Sequence, residues 1–360
     1  MSNPERLYLD HAATTPVLPR ARAAMAAALD LWANPSSPHA DGRKARAALE
    51  EARKAVAEAL DWRHDVILTS GASEAISIVA ARAKADGRVV GRTEHDAVIA
   101  AMGADSEALA VDRNGLIDLP ALEACLAKGP ALVAVQQINN ETGVIQPIDR
   151  IAEMVRGAGS LLLADCAQGA GKLPLPDADF IAISAHKLGG PPGVGGLLVK
   201  DLATLAPSGG QERGYRRGTE NLPAVAGMAA ALESRAFSEA MPRLEALRQH
   251  LEKDITTSGG LVIAADTPRI ATIGAYAMPG VVSASQLVQF DLAGISVSAG
   301  SACSSGSMKP SRVAEAMGLP LDIGSSMIRI SFGPQTTEAD VERFTAEWRR
   351  MKERANKAVA

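Results

Sequence analysis

Cysteine occurs only three times in the 360 residues, as Cys125, Cys166 and Cys303. An odd number at those spacings builds neither a disulfide framework nor a metal knot, and points to a reducing compartment. Aromatic residues are 3% of the chain, too few for the stacking platforms that bind nucleic-acid bases. Neither sign of charge dominates. Lys and Arg number 37 against 41 Asp and Glu, a formal net charge of -4, which leaves no footprint for nucleic acid or an anionic membrane. No apolar run reaches the roughly 18 residues that suggest a bilayer span, and residues 1–10 hold no stretch that reads as a signal peptide. The expected location is the cytoplasm. Apolar surface, by contrast, is ample. Hydrophobic residues make up 47% and charged residues 22%, the proportions of a globular protein that can bury a core.

At roughly 100–200 residues per domain, the length predicts two domains or one large α/β body. Residues 43–60 read as a helix, 65–69 as a strand, and Gly71-Ala72-Ser73-Glu74 opens a second helix. Apolar runs at 131–138, 161–164, 180–183 and 195–199 are separated by helical stretches such as 149–157. Strands that are apolar throughout are buried on both faces, so these predict a mainly parallel sheet wrapped by helices. After about residue 235 the pattern changes to a helix over 243–256, strands at 261–264, 269–276, 295–298 and 327–332, and a helix over 283–292. A last helix starts at a Thr337/Asp340 cap and aligns Val341, Phe344, Trp348 and Met351 on one face. The expected division is a large α/β domain over 16–240 and a small α+β domain built from 1–15 and 241–360.

Two strand ends carry unusual chemistry. Lys187 directly follows the 180–183 run and precedes a glycine-rich stretch, Gly189 to Gly196; Asp165 closes the 161–164 run, with Gln168 three residues later. A lone Lys at a turn is ordinarily a surface residue. There is no phosphate-binding GxxxxGK[ST] loop, since Gly171-Lys172 lacks the first glycine, and no GxGxxG follows a strand. In a parallel sheet, however, the carboxyl ends of the strands meet at one edge, where ligands bind. A Lys and an Asp meeting there suggest pyridoxal phosphate, the Lys holding the cofactor covalently and the Asp pairing with its ring nitrogen. Ser70-Gly71-Ala72-Ser73, between a strand and a helix, offers the phosphate a helix N-terminus. An ordinary helix cap by Ser70 or Ser73 is the plainer alternative. His95 follows another strand; a lone His is more often structural, but one at this sheet edge is within reach of stacking on the ring.

With those residues assembled, the chain resembles a cysteine desulfurase of the iron–sulfur-cluster type, in the class V aminotransferase superfamily. The resemblance rests on Ser-Gly-Ala-Ser-Glu (70–74), Glu-His (94–95), Asn-Asn-Glu-Thr-Gly (139–143), Asp-Cys-Ala-Gln (165–168), Ser-Ala-His-Lys (184–187), Arg-Gly-Tyr-Arg-Arg-Gly-Thr-Glu-Asn (213–221) and Gly-Ser-Ala-Cys-Ser-Ser-Gly (300–306). Residues 8–16 and 34–37 also match, and the motifs run in order from about residue 7 to residue 345. It implies a fold-type-I pyridoxal-phosphate enzyme, with a mainly parallel seven-stranded-type sheet in its large domain. The activity it implies is conversion of L-cysteine to L-alanine and an enzyme-bound persulfide, feeding iron–sulfur or other thio-cofactor synthesis.

Carried over by position, the resemblance implies that Lys187 holds the cofactor, Asp165 pairs with the ring nitrogen, and Gln168 and Asn140 lie at the phenolic oxygen. His95 stacks as an acid/base. Ala72, Ser73, Ser184 and His186 grip the phosphate, joined by Thr219 from the second subunit of a homodimer. Arg329 clamps the substrate carboxylate, with Asn140 nearby. Cys303 is the nucleophile. A free Cys is usually a small buried hydrophobe, but Cys303 stands among Gly, Ser and Ala only, whereas Cys125 and Cys166 lie in core-like patterns.

Departures from the family are Ser73 where Thr is frequent, Ile76-Ser77 where an Asn-containing pair is common, and a short stretch over 96–110. Only 31 residues follow Arg329, so the resemblance implies a shortened tail and altered docking of the scaffold protein that accepts sulfur. The rivals are a selenocysteine lyase, another class V aminotransferase-type enzyme, and an inactive delivery subunit. The Cys303 loop argues against transamination, and the intact set Lys187, Asp165, His95 and Arg329 against an inactive chain.

Overall fold

A computed structural model describes residues 6–300 and 311–359. Its centre is a seven-stranded sheet in the spatial order Asp65–Thr69, Gly195–Val199, Phe180–Ser184, Leu161–Asp165, Ala131–Gln136, Gly87–Gly91, Glu107–Leu109. Gly195–Val199 runs antiparallel to both neighbours, and the remaining pairings are parallel. The alternation of side chains along a strand sorts its residues between two cores. Val133 and Val135 pack with the helices Pro19–Leu29, Ala40–Ala59, Ile148–Gly157 and Leu222–Glu233, while Leu132 and Ala134 pack with Ala72–Arg82 and Asp96–Met102. Every residue of Ala131–Gln136 is buried, as its unbroken apolar run predicts.

The C-terminal part forms its own layer. Met327–Ser331, Ile273–Ala277 and Leu261–Val262 make an antiparallel sheet, and Leu7–Tyr8 pairs with Ile295–Ser296. Leu244, Leu247, Leu251 and Ile255 of the helix Ala236–Thr257 meet Phe290, Ile328, Phe344 and Trp348 in a separate core. The final helix, Glu338–Val359, starts at the expected cap, where Thr337 N–H donates to Asp340 and Asp340 N–H returns to the Thr337 hydroxyl.

Several boundaries differ from the sequence reading by a few residues, and two of the differences are instructive. The helix expected at 243–256 begins seven residues earlier, at Ala236, and carries Pro242 inside it. The strand expected over 269–276 pairs in its sheet only from Ile273. The preceding residues bond instead to the loop that follows Ala131–Gln136: Ile145 N–H donates to Pro268 O, and Ile270 N–H to Gly143 O, both at 2.9 Å. Gly143 permits this crossing, with φ of +77° and a position where a Cβ would lie 2.3 Å from Ile273 O.

Candidate active site

The carboxyl ends of the parallel strands converge on a cavity of about 410 Å³, a size suited to a cofactor. Ala72, Ser73, His95, Asn140, Asp165, Ser184, His186, Lys187 and Arg329 all line it. Nine residues spread over 258 positions of sequence are thus brought to one place by the sheet. Gln168 sits in the adjoining interior, 3% exposed; its amide donates to Ala12 O at 2.8 Å, and its Oε1 has no partner among the described residues. Thr219 is exposed and does not line the cavity of its own chain. Its loop is nevertheless tied to the rim, because Arg216 Nε lies 3.1 Å from Glu74 Oε1. Cys303 lies outside the described residues.

The local backbone explains how each group is presented. Helix Ala72–Arg82 starts at Gly71 with no side chain capping it, so neither Ser70 nor Ser73 serves as the ordinary cap. Its first N–H groups are thereby left to an anion in the cavity. The helix comes close because Gly195 faces it, where a Cβ would lie 2.7 Å from Gly71 Cα. Asp165 accepts from Ala167 N–H at 2.9 Å, which fixes its carboxylate at the strand end. Lys187 ends a short 3₁₀ turn, Ala185–Lys187, that leaves strand Phe180–Ser184 directly into the cavity.

The charges are arranged around Lys187. His95 caps the helix Asp96–Met102, its Nδ1 accepting from Ala97 N–H at 3.1 Å. Burial, and then the charge of Lys187, hold its pKa below the usual histidine value, so the ring is neutral at pH 7 with its proton on Nε2. His186 is pushed down to about 4 by burial and then by Lys187 and Lys172. Arg329 is 5% exposed, donates to Asn140 O at 2.9 Å and pairs with Asp10 at 2.7 Å, while its Nε has no partner among the described residues.

Some residues of the site escaped the sequence reading. Asp10, which steadies Arg329, and Ala12 and Ala13, which line the cavity, come from a segment recognised only as a matching motif. Glu94 is fully buried and takes Gln136 N–H at 2.8 Å; burial, reinforced by Asp165, lifts its pKa well above the carboxylate range. Lys172 is also buried, its Nζ 4.7 Å above the Phe237 ring; burial and then Lys187 lower its pKa to about 7. A Lys or Glu in sequence defaults to the surface, so only packing reveals either.

A sheet of this topology with a lysine, an aspartate and an open helix N-terminus at its carboxyl edge defines a class, and sequence comparison agrees. The chain belongs to the aminotransferase class-V family, whose model matches residues 7–344. Within that family it falls among the cysteine desulfurases. A protein of that name from Cereibacter sphaeroides is 36% identical, the match covering 94% of each chain. A cysteine desulfurase IscS from an Anaeromyxobacter species is 35% identical over 93% of this chain and 90% of that one. Among solved structures, a NifS-like protein from Rickettsia africae superposes with a TM-score of 0.90 at 29% identity, covering 97% of this chain and all of that one. The fold is therefore that of the fold-type-I enzymes of this group.

Neither cysteine among the described residues has the environment of a nucleophile. Cys166 is wholly buried, and burial raises its pKa well above the thiol value. Cys125 donates to Glu107 at 3.1 Å, and burial with that carboxylate raises its pKa to about 11.

Proposed function

We propose that this chain is a pyridoxal-phosphate-dependent cysteine desulfurase that releases L-alanine from L-cysteine and takes the sulfur onto Cys303 as a persulfide. The observation that supports it best is the convergence of Lys187, Asp165, His95 and Arg329 on one cavity. The residues fit the cofactor feature by feature. An uncapped helix N-terminus with Ser73, Ser184 and His186 beside it suits a phosphate. Asp165 suits a protonated ring nitrogen, Lys187 an aldehyde, and His95 the ring face. Gln168, which has a second amide N–H to donate, and Asn140 suit the phenolic oxygen.

When bound, the cofactor supplies an electron sink that stabilises negative charge at the substrate Cα. The chain does the rest. Arg329, held by Asp10 and by Asn140 O, presents its remaining donor edge to the substrate carboxylate and fixes which Cα bond is broken. Lys187 would hold the cofactor and, as a free amine, would take the Cα proton. The Cys303 thiolate attacks the substrate sulfur, the Cβ–S bond breaks with its electron pair left on carbon, and a proton completes alanine. His95, neutral with Nε2–H available, serves proton transfer within the cavity.

The same reading divides the chain into a large domain over 16–240 and a small one from 1–15 and 241–360, and makes the protein a cytoplasmic homodimer that hands sulfur to an acceptor protein such as an iron–sulfur scaffold. No helix among the described residues is long and apolar enough to cross a membrane. The test is incubation with L-cysteine, measuring alanine and sulfide with and without a candidate scaffold. Alanine formed without a protein-bound persulfide favours a lyase and overturns the assignment.

Two further outcomes are expected. Arg329→Lys raises KM for L-cysteine about 10-fold or more with a smaller fall in kcat, because a point charge cannot replace a planar fork. Equal KM values for the two proteins remove Arg329 from the substrate site. On this reading Thr219 belongs to the partner's site, so Lys187→Ala and Thr219→Ala chains, each impaired alone, regain about a quarter of wild-type activity when mixed, since a hybrid dimer has one intact site. Sedimentation of an active monomer contradicts this arrangement.

A further inference from the structure

The loop after strand Ala131–Gln136 does more than present Asn140. Asn139 Oδ1 accepts from Glu141 N–H at 3.0 Å, Thr142 N–H at 2.8 Å and the Thr142 hydroxyl at 3.0 Å, while its amide donates to Thr93 O at 3.2 Å. This rigid turn holds two things at once. Asn140 O takes Arg329 Nη1 at 2.9 Å, and the Glu141 carboxylate takes the Ser311 hydroxyl at 2.6 Å. Glu141 and Ser311 are each 6% exposed, so water does not compete for the bond.

Ser311 is the first described residue after those that include Cys303. Its hydroxyl oxygen also accepts from Ala314 N–H at 3.0 Å, capping the helix Arg312–Ala316. Capping uses only a lone pair. The hydroxyl proton is free for a second partner, and that partner is a buried carboxylate 170 positions away. Arg312 adds a bond to Glu94 O at 3.2 Å and a pair with Asp96, on either side of His95. The other end of the same segment is tied to Arg329 itself, since Arg329 N–H donates to Ser298 O at 2.7 Å and Ser298 N–H donates back. The two ends are neighbours, for a Cβ on Gly300 would lie 3.3 Å from Ser311 Cβ.

We propose that Glu141 and Ser311 are positioning residues: their hydrogen bond ties the helix that follows the Cys303-bearing residues in sequence to the same turn that orients Arg329, and so supports persulfide formation. This rests on the function proposed above. Removing the bond leaves the groups that act on the Cα proton in place and disturbs only delivery of the thiolate, where small misplacements are costly.

The experiment compares two rates in the cofactor-loaded protein. One is exchange of the Cα proton of L-alanine in D₂O, which needs no thiol. The other is persulfide formation on Cys303 from L-cysteine, mapped by mass spectrometry. Ser311→Ala and Glu141→Ala are expected to slow the second about 10-fold or more while the first stays within about twofold. The double variant is no worse than either single one, because both remove the same bond. Ser311→Thr and Glu141→Gln keep a donor and an acceptor and stay close to wild type. Glu141→Asp keeps the charge but withdraws the oxygens by one methylene; it behaves like Glu141→Ala, and it serves if the alanine variants do not fold. Equal loss of both rates, or undiminished persulfide formation, overturns the positioning role. A wild-type protein that exchanges the proton but forms no persulfide overturns the proposed function instead.

Discussion

Lys187→Ala is expected to abolish covalent retention of the cofactor and to lower alanine formation by about 10²–10⁴-fold, the usual contribution of a positioned acid/base group. Two lysines lie close enough here to influence each other, and the geometry chooses between them. Lys187 lines the cavity with Asp165 and His95. Lys172 lines a different cavity, against Leu173 and Leu232, with its Nζ over the Phe237 ring. Burial lowers the pKa of Lys172 to about 7, which makes it the informative control. Borohydride reduction of the loaded wild-type protein, followed by peptide mapping, should find the cofactor on the Lys187 peptide. The Lys187→Ala protein should carry no reduced adduct, while Lys172→Met keeps it on Lys187. An adduct on Lys172 in the wild-type protein shows that the attachment point has been misassigned.

What the sequence made legible follows from where information is local. The strands of the large sheet are buried on both faces, so each appears as an unbroken apolar run, and the residue just past such a run sits at the carboxyl edge. That is why Asp165 and Lys187 are found from their neighbours alone. Contacts between distant segments are not local. The Arg329–Asp10 pair spans 319 positions and the Ser311–Glu141 bond 170, and nothing in either short stretch marks its partner. The stretch before Ile273 reads as strand from its composition, yet its hydrogen bonds go to the Asn139–Ile145 loop, a tertiary choice that propensity does not contain. The early start of helix Ala236–Thr257 is hidden by Pro242, which as a rule ends a helical reading. Glu94 and Lys172 show the reverse case. Their chemistry comes from burial, and the residue type argues against burial until the packing is seen.

Cys303→Ser separates the proposed reaction from its nearest rivals. On the proposed mechanism, the groups that labilise the Cα proton, Lys187 and Asp165 among them, do not include a thiol. The variant should therefore bind cofactor normally and exchange the Cα proton of L-alanine at close to the wild-type rate. Sulfur removal should fail, because a hydroxyl that stays protonated at neutral pH is a poor nucleophile toward sulfur and cannot carry a persulfide. The expected loss of alanine release from L-cysteine is of the order of 10²-fold or more where the attack limits the rate. Cys125→Ser and Cys166→Ser should stay near wild type. Burial holds both thiols protonated, and Cys166, although adjacent to Asp165, turns into the core with Ala164 and Ala170. Mass spectrometry after a single turnover should show an adduct of roughly 32 Da, one sulfur atom, on the Cys303 peptide and on neither of the others. L-selenocysteine sharpens the contrast, since selenium leaves carbon more readily and the Cys303→Ser protein is expected to lose far less activity with it. Full alanine release from L-cysteine by Cys303→Ser, or an adduct on Cys166, would move the enzyme to a lyase that frees sulfide directly.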